Sequence, residues 1–476
     1  MAVREQTALV ALKREEGDLQ GQLYRALRAR ILSGHLQAGT CLPSTRRLAG
    51  SLGLARATVV GAYERLQAEG YLLNAPGRAS RVADIILPRA QPTPRAVTAR
   101  PATTAEPAPT QMQLEPGVPD LTSFPTALWG RLLATQARRL ANPALGYGQP
   151  FGMQALREAI LAHIAITRGV TATPDQVLLF PSTRTAIAVI ARVVLRRYPH
   201  GSAPVWIEDP GYPSARTILH HAGGRLIPVP VDHAGLTPAH AAGLPAPRLI
   251  YVTPSHQYPT GVTMSLARRL TLLERARQSN AIILEDDYDS EFQFNGQPIA
   301  ALQGIDPSDC VAYLGTLSKV LVPGVRLAYA IVPHRLLAAV SELVKLEGIT
   351  VSLHTQAAFL SFLRDGHFGA HIKRMTAHYA ARMAAFRAAI QCLCAASIEP
   401  GPGSGGLQLA LWFKDQRLDD TAIAASMHQL GHAPAALSGM YLGPGQRGLL
   451  CGIARLVPQQ APRIAGDLAA LLADAD

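Results

Sequence analysis

Two short apolar stretches, each followed at once by polar side chains, constrain the fold of this chain more than any other feature. The first, 282–288, begins aliphatic and ends in acidic and phenolic groups. The second, 311–319, ends in a lysine next to hydroxyl side chains. Such runs are typical of strands buried in a parallel sheet, whose carboxyl ends gather along one edge. The sequence therefore predicts an α/β fold with a polar site at that edge.

The side chains at these strand ends match the chemistry that pyridoxal phosphate requires. Lys319 can form a Schiff base with the aldehyde, and Asp286 can pair with the protonated ring nitrogen. Tyr288 can hydrogen-bond the ring oxygen, and Arg326 can bind the phosphate through two parallel hydrogen bonds. Each residue alone is more often an ordinary surface or core residue. The ordered set predicts a pyridoxal phosphate site.

Positive charge is concentrated at the amino-terminal end of the chain. The net charge is +12, and residues 1–83 hold twelve Lys and Arg against six Asp and Glu. Half of the net charge therefore lies in about a sixth of the chain. This asymmetry indicates a polyanionic partner for this end.

The same end has the pattern of two helices joined by a tight turn. Pro43 followed by Ser44 or Thr45 predicts the start of the first helix, and Gly53 ends it. A second helix is predicted over Arg56–Ala68. Its predicted core residues are Val60, Tyr63 and Leu66.

Two predicted strands, 71–73 and 80–82, follow and complete a winged helix-turn-helix. In this motif the second helix enters the major groove of DNA with its N-terminal residues at the base edges. The candidate DNA contacts are, in chain order, Arg46, Arg47, Arg56, Thr58 and Arg78. Those in the second helix would meet bases or phosphates, and the others would contact the DNA backbone from the first helix and the wing. The alternative is that these arginines only solvate a small helical domain.

A proline-rich stretch separates this end from the rest of the chain. Prolines occur at positions 88, 92, 94, 101, 107 and 109, with Ala and Thr between them. The composition is typical of an extended, semi-rigid tether, and a proline-rich ligand for a partner protein is the alternative. We predict three parts: a DNA-binding head, 1–83, a linker, 84–113, and a body, 114–476.

Residues 19–73 resemble the GntR-type DNA-binding domain. The motifs that carry the resemblance are Leu-Pro-Ser-x-Arg-x-Leu-Ala at 42–49 and Arg-x-Thr-Val-x-x-Ala-Tyr at 56–63. The resemblance supports Arg46, Arg56 and Thr58 as DNA contacts.

The body resembles the fold-type I aminotransferases, which implies further contacts to the cofactor phosphate. Thr183, Thr316 and Ser318 would contribute hydroxyl groups to it. Tyr147 would reach the phosphate of the other subunit of a dimer. The loop before Thr183 departs from the family pattern, because it has Pro181 and Ser182 and places Arg184 where a glutamine is usual.

The resemblance also implies contacts around the ring and the ligand. Tyr212 would stack on the pyridine ring, and Arg447 would bind a ligand α-carboxylate. Tyr258 occupies the position at which ordinary aminotransferases have an asparagine. The string Thr-Pro-Ser-His-Gln-Tyr-Pro-Thr-Gly at 253–261 is instead similar to the MocR-type regulators, and it makes His256 a candidate pocket residue.

The combination of a winged helix, a proline tether and a pyridoxal phosphate site resembles the MocR-type transcription regulators. This implies a homodimer that binds operator DNA and senses pyridoxal phosphate, or an amine or amino acid, through an aldimine at Lys319. Two alternatives stay open. One is a working aminotransferase with a vestigial head, and the other is a regulator whose body senses a ligand without the cofactor.

Composition argues against several other classes of protein. No apolar run reaches the length of about 18 residues that a membrane span requires, and the first residues lack an apolar signal core. The five cysteines are odd in number and lack the spacing of a zinc site. We therefore expect a cytoplasmic protein with reduced thiols, no bound metal and no membrane partner.

Overall fold

The computed structural model of the chain describes residues 12, 14–73, 79–84, 112–140, 146, 148–238, 243–294 and 300–474. The chain divides into two compact units, Met1–Ala108 and Pro109–Asp476. Most of the predicted linker, 84–113, lies outside the described residues, so its boundaries stay predictions. Within the described ranges, no helix combines the length and the hydropathy that crossing a membrane requires.

The described part of the first unit contains three α-helices and a two-stranded antiparallel sheet. In chain order they are α1 Leu19–Leu32, α2 Thr45–Leu52, α3 Arg56–Ala68, β1 Leu72–Leu73 and β2 Arg81–Val82. Ser44 caps α2, because its hydroxyl accepts a hydrogen bond from the Arg47 backbone N–H, and Gly53 ends it in a left-handed conformation with φ 62°. The predicted order of helices and strands is confirmed.

The buried face of α3 differs by one position from the predicted one. Val59, Ala62, Tyr63 and Leu66 are buried, whereas Val60 is only partly buried. Val59 is four residues before Tyr63 and seven before Leu66, so these side chains share one helical face. The Tyr63 hydroxyl also donates to the Pro43 carbonyl, at 2.9 Å, and thereby ties α3 to the start of α2.

The second unit alternates strands and helices. Its elements are α4 Thr126–Arg139, α5 Gln154–Arg168, β3 Val177–Phe180, α6 Thr183–Leu195, β4 Ala203–Asp209, α7 Pro213–His221, β5 Gly224–Asp232, β6 Gly235–Leu236, β7 Leu249–Val252, α8 Leu266–Ser279, β8 Ile282–Asp287, β9 Val311–Thr316, β10 Ala328–Ile331, α9 His334–Leu346, α10 Leu353–Arg364, α11 His367–Leu393, β11 Ile398–Pro400, β12 Gln408–Phe413, α12 Asp420–Gln429, β13 Ala435–Ala436, β14 Gly448–Gly452 and α13 Ala461–Asp474.

Eight strands form the central sheet, in the order β3-β10-β9-β8-β7-β4-β5-β6. The pairs from β5 through β4, β7 and β8 to β9 are parallel, whereas β10 is antiparallel to both β9 and β3, and β6 is antiparallel to β5. Because β10 is antiparallel to both neighbours, β3 points the same way as β9. The carboxyl ends of β3, β4, β7, β8 and β9 therefore meet at one edge.

Successive side chains of the central strands point to opposite faces of the sheet, and both faces are covered by a hydrophobic core. Ile282 and Leu284 pack into one hydrophobic cluster, and Ile283 between them packs into another. Every residue of β7, β8 and β9 is buried. These strands are covered on both sides, which is why their sequences are aliphatic almost without interruption until the polar end.

The second unit also contains a smaller antiparallel sheet, in the order β11-β12-β14-β13. Residues 113–117, which we call the entry segment, are held against it. The Gly452 N–H donates to the Leu114 carbonyl at 2.8 Å, and the Ala433 N–H donates to the Gln113 carbonyl at 2.7 Å. The entry segment is therefore fixed to β14 from its first described residues.

Candidate functional site

A cavity of about 530 Å³ lies where the carboxyl ends of the parallel strands meet, and we call it the sheet-edge cavity. Its lining residues are Pro116, Ser182, Thr183, Arg184, Tyr212, Tyr251, Thr253, Tyr258, Asp286, Tyr288, Thr316, Ser318, Lys319, Pro323 and Arg326. Small-molecule sites have volumes of roughly 300–1,000 Å³, and parallel sheets bind ligands at this edge. The cavity can hold a cofactor and a small ligand.

Asp286, at the end of β8, has one carboxylate oxygen in use and one free. Its Oδ2 accepts a hydrogen bond from the Tyr251 hydroxyl at 2.7 Å. Its Oδ1 is buried and has no hydrogen-bond partner among the described residues. Burial raises the pKa of Asp286 to about 6, while the Tyr251 hydrogen bond and the Lys319 charge oppose the rise. A buried carboxylate oxygen without a donor suits the protonated nitrogen of a pyridine ring.

Lys319 lies three residues after β9 and projects its amine into the same cavity. The Nζ donates a hydrogen bond to the Gly117 carbonyl of the entry segment. Burial lowers the pKa of Lys319, with the Arg184 charge acting in the same direction and Asp289 and Asp286 opposing. A lowered pKa increases the neutral fraction of the amine, which is the form that attacks a carbonyl carbon.

The cavity lining also includes hydroxyl groups, the start of α6 and guanidinium groups. The Ser182 side chain caps α6 by accepting from the Thr185 N–H at 3.2 Å. Thr183, Thr316, Ser318 and Arg326 are further lining residues. Arg326 adopts a left-handed conformation, with φ 51° and ψ 49°, that is uncommon outside glycine. This combination of groups suits a phosphate dianion.

Three phenol rings form an aromatic wall. Tyr258 packs edge-on against both Tyr212 and Tyr288, with ring centroids 5.3 Å and 6.1 Å apart. The Tyr212 hydroxyl accepts a hydrogen bond from Arg184 Nε at 3.1 Å. The Tyr258 hydroxyl has no hydrogen-bond partner in the part of the chain that the structure describes. Flat aromatic faces suit a heterocyclic ring, and a free hydroxyl can bind a polar ligand group.

Most of the residues predicted from the sequence meet in this cavity. They are Thr183, Tyr212, Asp286, Tyr288, Thr316, Ser318, Lys319 and Arg326. His256 is close but lies behind Tyr288, with Nδ1 3.2 Å from its hydroxyl, so its predicted place in the lining is corrected to a place behind it. Tyr147 falls outside the described residues.

Arg447 is not among the residues that line the cavity, and its predicted contact with a ligand carboxylate stays a prediction. Its Nη1 donates to the backbone carbonyls of Arg417, at 3.1 Å, and Leu418, at 2.9 Å. Leu450, three residues farther along in strand β14, belongs to a hydrophobic cluster against which the lining residue Tyr258 packs. The side chain at 447 is thus directed to a neighbouring loop, and the geometry gives no support to its predicted contact with a ligand carboxylate.

Tyr251, which lines the cavity, and Glu208, which contacts the lining residue Thr253, were not predicted as site residues from the sequence. Tyr251 pairs in register with Leu284, and Asp286 lies two residues farther along β8, so strand alternation puts both side chains on one face. Glu208, at the end of β4, accepts from the Thr253 N–H and hydroxyl at 3.1 Å and 2.7 Å. Burial raises its pKa to about 7. A polar residue near the end of an aliphatic strand was the available signal for both.

The candidate DNA contacts of the first unit lie on its two central helices. Arg46 and Arg47 are exposed on the first turn of α2. Arg56 is exposed at the first residue of α3, and Thr58 beside it is partly buried. Arg78 falls outside the described residues. The four described residues occupy the helix starts that a helix-turn-helix presents to DNA.

Two family models match the chain. The model for bacterial regulatory proteins of the gntR family matches residues 19–82. The model for aminotransferase class I and II matches residues 119–429, more than half of the chain. The two matched regions fall in the two compact units.

Named regulators are similar to the chain over most of its length. It is 36% identical over 458 residues to the probable rhizopine catabolism regulatory protein MocR of Rhizobium meliloti, an alignment that covers 92% of this chain and 90% of that protein. It is 32% identical to PdxR, the pyridoxine biosynthesis transcriptional regulator of Corynebacterium glutamicum, over 77% of each chain.

Solved aminotransferases share the fold of the second unit. The kynurenine aminotransferase of Pyrococcus horikoshii superposes with a TM-score of 0.69 at 21% identity, covering 76% of this chain and 91% of that one. An archaeal alanine:glyoxylate aminotransferase gives 0.70 at 23% identity, with 77% and 91% covered. The family models and the full-length relatives agree: this chain belongs to the MocR-type transcription regulators, in which a GntR-family DNA-binding domain precedes an aminotransferase class I and II domain.

Proposed function

We propose that this regulator binds pyridoxal phosphate covalently through Lys319 and changes its affinity for operator DNA with the occupancy of the sheet-edge cavity. One observation carries the proposal. The partnerless Oδ1 of Asp286 lies in the same cavity as the Lys319 amine, whose pKa is lowered. When bound, the cofactor supplies an aldehyde carbon that is open to attack by amines.

Different residues of the cavity would bind different parts of the cofactor. Asp286 would accept the hydrogen of the ring nitrogen, and Tyr212 would cover the ring. Arg326 and the hydroxyl groups of Thr183 and Ser318 would bind the phosphate. Tyr288 would donate to the ring oxygen. The Tyr251 hydroxyl fixes the Asp286 carboxylate in place through its hydrogen bond.

Two kinds of signal fit this site. Pyridoxal phosphate is itself one, and the name of the relative PdxR, which refers to pyridoxine biosynthesis, supports it. The other is an amine or amino acid that competes with Lys319 for the aldehyde carbon. Either signal must bind two conformations of the protein unequally in order to change DNA affinity.

A DNA titration tests the regulatory part of the proposal. DNA from upstream of the chain's own gene is titrated, at fixed salt, with cofactor-free protein, cofactor-loaded protein and Lys319→Ala. We expect the cofactor to shift the affinity of the wild type and not that of the variant. Equal affinity in all three samples would show that the cofactor is not the switch.

Trapping with borohydride tests the covalent part separately. The loaded protein is reduced and digested, and the mass of the peptide that contains Lys319 is measured. We expect the added cofactor mass on this peptide and its loss in Lys319→Ala. Lys345→Ala is the matched control, because Lys345 is exposed on α9 away from the cavity. Cofactor mass on other lysines alone would overturn the assignment.

A second candidate function is a working aminotransferase, which the joint presence of Lys319 and Asp286 in one cavity favours. Steady turnover of an amino acid with a keto-acid acceptor, combined with no affinity for DNA, would establish it over regulation. A single stoichiometric conversion without turnover would leave regulation in first place.

We further propose that the protein acts as a cytoplasmic homodimer, since two heads would read two half-sites of an operator. The resemblance to dimeric aminotransferases, in which a residue at the position of Tyr147 crosses to the other subunit, supports this. Sedimentation of the loaded protein at the concentration used for DNA binding would show twice the chain mass. A single-chain mass would contradict the proposal.

A further inference from the structure

A buried histidine and a buried aspartate form a pair directly behind Tyr288. His256 Nδ1 lies 3.0 Å from Oδ1 and 3.1 Å from Oδ2 of Asp289. The two residues are 5% and 1% exposed, so the pair is closed off from solvent. Neither residue lines the sheet-edge cavity itself. The pair therefore acts on a ligand only through a side chain that does line it.

That side chain is Tyr288. Its hydroxyl lies 3.2 Å from His256 Nδ1 and accepts a hydrogen bond from Gln408 Nε2 at 3.3 Å. An ionised carboxylate only accepts hydrogen bonds, so the nitrogen facing Asp289 carries a hydrogen. The one hydrogen on Nδ1 is directed at Asp289, so Nδ1 has no lone pair that could accept the Tyr288 hydrogen. The Tyr288 oxygen accepts from Gln408, and its own hydrogen has no acceptor among the described residues. That hydrogen is available to a group inside the cavity.

The surroundings favour a positively charged imidazole. Burial alone lowers the pKa of His256, but the charge of Asp289, its hydrogen bond and the charge of Asp287 outweigh burial and raise that pKa. Tyr288 is the other titratable group in contact with the ring. With a hydrogen on Nδ1, the ring cannot accept from the Tyr288 hydroxyl, which leaves that hydroxyl hydrogen for a group in the cavity.

The neighbouring backbone is shaped to leave room for this pair. Gly406 has φ 76°, and a Cβ there would overlap the His256 ring and come within 2.7 Å of Asp289 Oδ2. The next residue, Leu407, donates its N–H to Asp289 Oδ2 at 3.2 Å. Asp289 therefore has two donors, and its carboxylate is held in one position.

We propose that His256 and Asp289 are positioning residues, which orient the Tyr288 hydroxyl so that it donates to the ring oxygen of the bound cofactor. The inference rests on the proposed binding of pyridoxal phosphate at Lys319. It adds two residues that would act on the cofactor through Tyr288 and without touching it. A hydrogen bond to the ring oxygen would reduce the negative charge on that oxygen. The oxygen would then attract a proton on the Lys319 nitrogen less strongly, and the pKa of that nitrogen would fall. Loss of the pair consequently makes that proton harder to remove.

The test is a pH titration of the visible absorbance of the loaded protein. We expect His256→Gln to raise the midpoint pH by about one unit, which corresponds to a tenfold change in proton affinity. The same substitution in a Tyr288→Phe background should leave the midpoint where Tyr288→Phe alone puts it, because the pair acts through the phenol. His432→Gln is the matched control, since His432 is a buried histidine paired with a carboxylate, Asp467, and lies outside the cavity lining.

The outcomes separate this inference from the function on which it rests. An unchanged midpoint in His256→Gln, or an equal shift in the Tyr288→Phe background, would overturn the positioning role while Lys319 still holds the cofactor. If the wild type gains no visible band and no reducible link at Lys319, the proposed function fails and the inference fails with it. If His256→Gln does not fold, Asp289→Asn replaces it, with the same expected direction and the same comparison.

Discussion

At the scale of single residues, two buried carboxyl groups are costly to keep charged: Asp286, which lines the sheet-edge cavity, and Glu208, which contacts the lining residue Thr253. Burial raises the pKa of Asp286 to about 6 and that of Glu208 to about 7. A carboxyl group whose folded pKa lies above its unfolded pKa destabilises the fold once pH exceeds the unfolded value. A cationic ring nitrogen beside Asp286 would offset this cost.

This gives a prediction for Asp286→Asn. In the cofactor-free protein, the free energy of unfolding of the wild type should fall relative to that of the variant as pH rises from about 4 to about 6, and the difference should then stay constant. The window runs from the ordinary aspartate pKa of 3.8 to the raised value of about 6. Urea unfolding at a series of pH values measures it. A difference that does not change with pH would contradict the raised pKa.

The sequence was sufficient to predict residues that act at strand ends, and insufficient for side-chain direction. Asp286 and Lys319 were predictable because the end of an aliphatic strand in a parallel sheet reaches the ligand edge whatever the rest of the fold does. The direction of the Arg447 side chain was not predictable, because a long side chain beside a strand can turn in more than one direction. Here it donates to the loop carbonyls of Arg417 and Leu418. Tyr251 needed the register of β7 against β8, which only the structure gives.

At the scale of elements, β14 and the entry segment approach each other so closely that glycine is required at their contact. A Cβ on Gly452 would lie 2.0 Å from the Glu115 carbonyl oxygen and 3.0 Å from Pro116 N. Both of these are backbone atoms, which cannot rotate away as a side chain can. The entry segment reaches Pro116 in the cavity lining only because position 452 has no side chain.

We therefore predict that Gly452→Ala destabilises the second unit by roughly 1–3 kcal/mol and weakens cofactor binding. Gly466→Ala, in α13, is the matched control, because a Cβ there meets no atom within 4 Å. In a helix that change should be neutral or stabilising by up to about 1 kcal/mol. Thermal unfolding and cofactor titration of both variants measure the contrast. Equal behaviour of the two would show that the entry segment can shift freely.

Element bounds were predictable where local signals were strong. The bounds of α3 agree with the predicted helix Arg56–Ala68. The antiparallel insertion of β10 between β9 and β3 was not predicted. Its four residues carry no sign of which neighbours they pair with, since strand order depends on contacts distant in sequence.

At the scale of the whole molecule, the excess positive charge and the candidate ligand site lie in different parts of the chain. The amino-terminal end has half of the net positive charge, and the second unit has the cavity. We therefore expect the basic residues of the first unit to determine how DNA affinity depends on salt.

We predict that Arg46→Ala and Arg56→Ala each weaken DNA binding and reduce the slope of log K against log salt by about 1, the loss expected for one phosphate contact. Binding isotherms at several salt concentrations measure the slope. Arg463→Ala is the control, since Arg463 is an exposed arginine on α13 in the second unit. A base-edge contact at either position would instead appear as weaker binding confined to some sequences. An unchanged slope and affinity in both variants would contradict the predicted contacts.

The hydrogen bond between Lys319 Nζ and the Gly117 carbonyl has a consequence for how occupancy is reported. An amine nitrogen used for a covalent bond has fewer hydrogens to donate, so engagement of Lys319 weakens or removes its hydrogen bond to this carbonyl. Gly117 lies four residues after the predicted linker ends, on a segment fixed to β14 at Leu114. Engagement of Lys319 therefore changes the hydrogen bonding of the backbone that directly follows the predicted linker, 84–113.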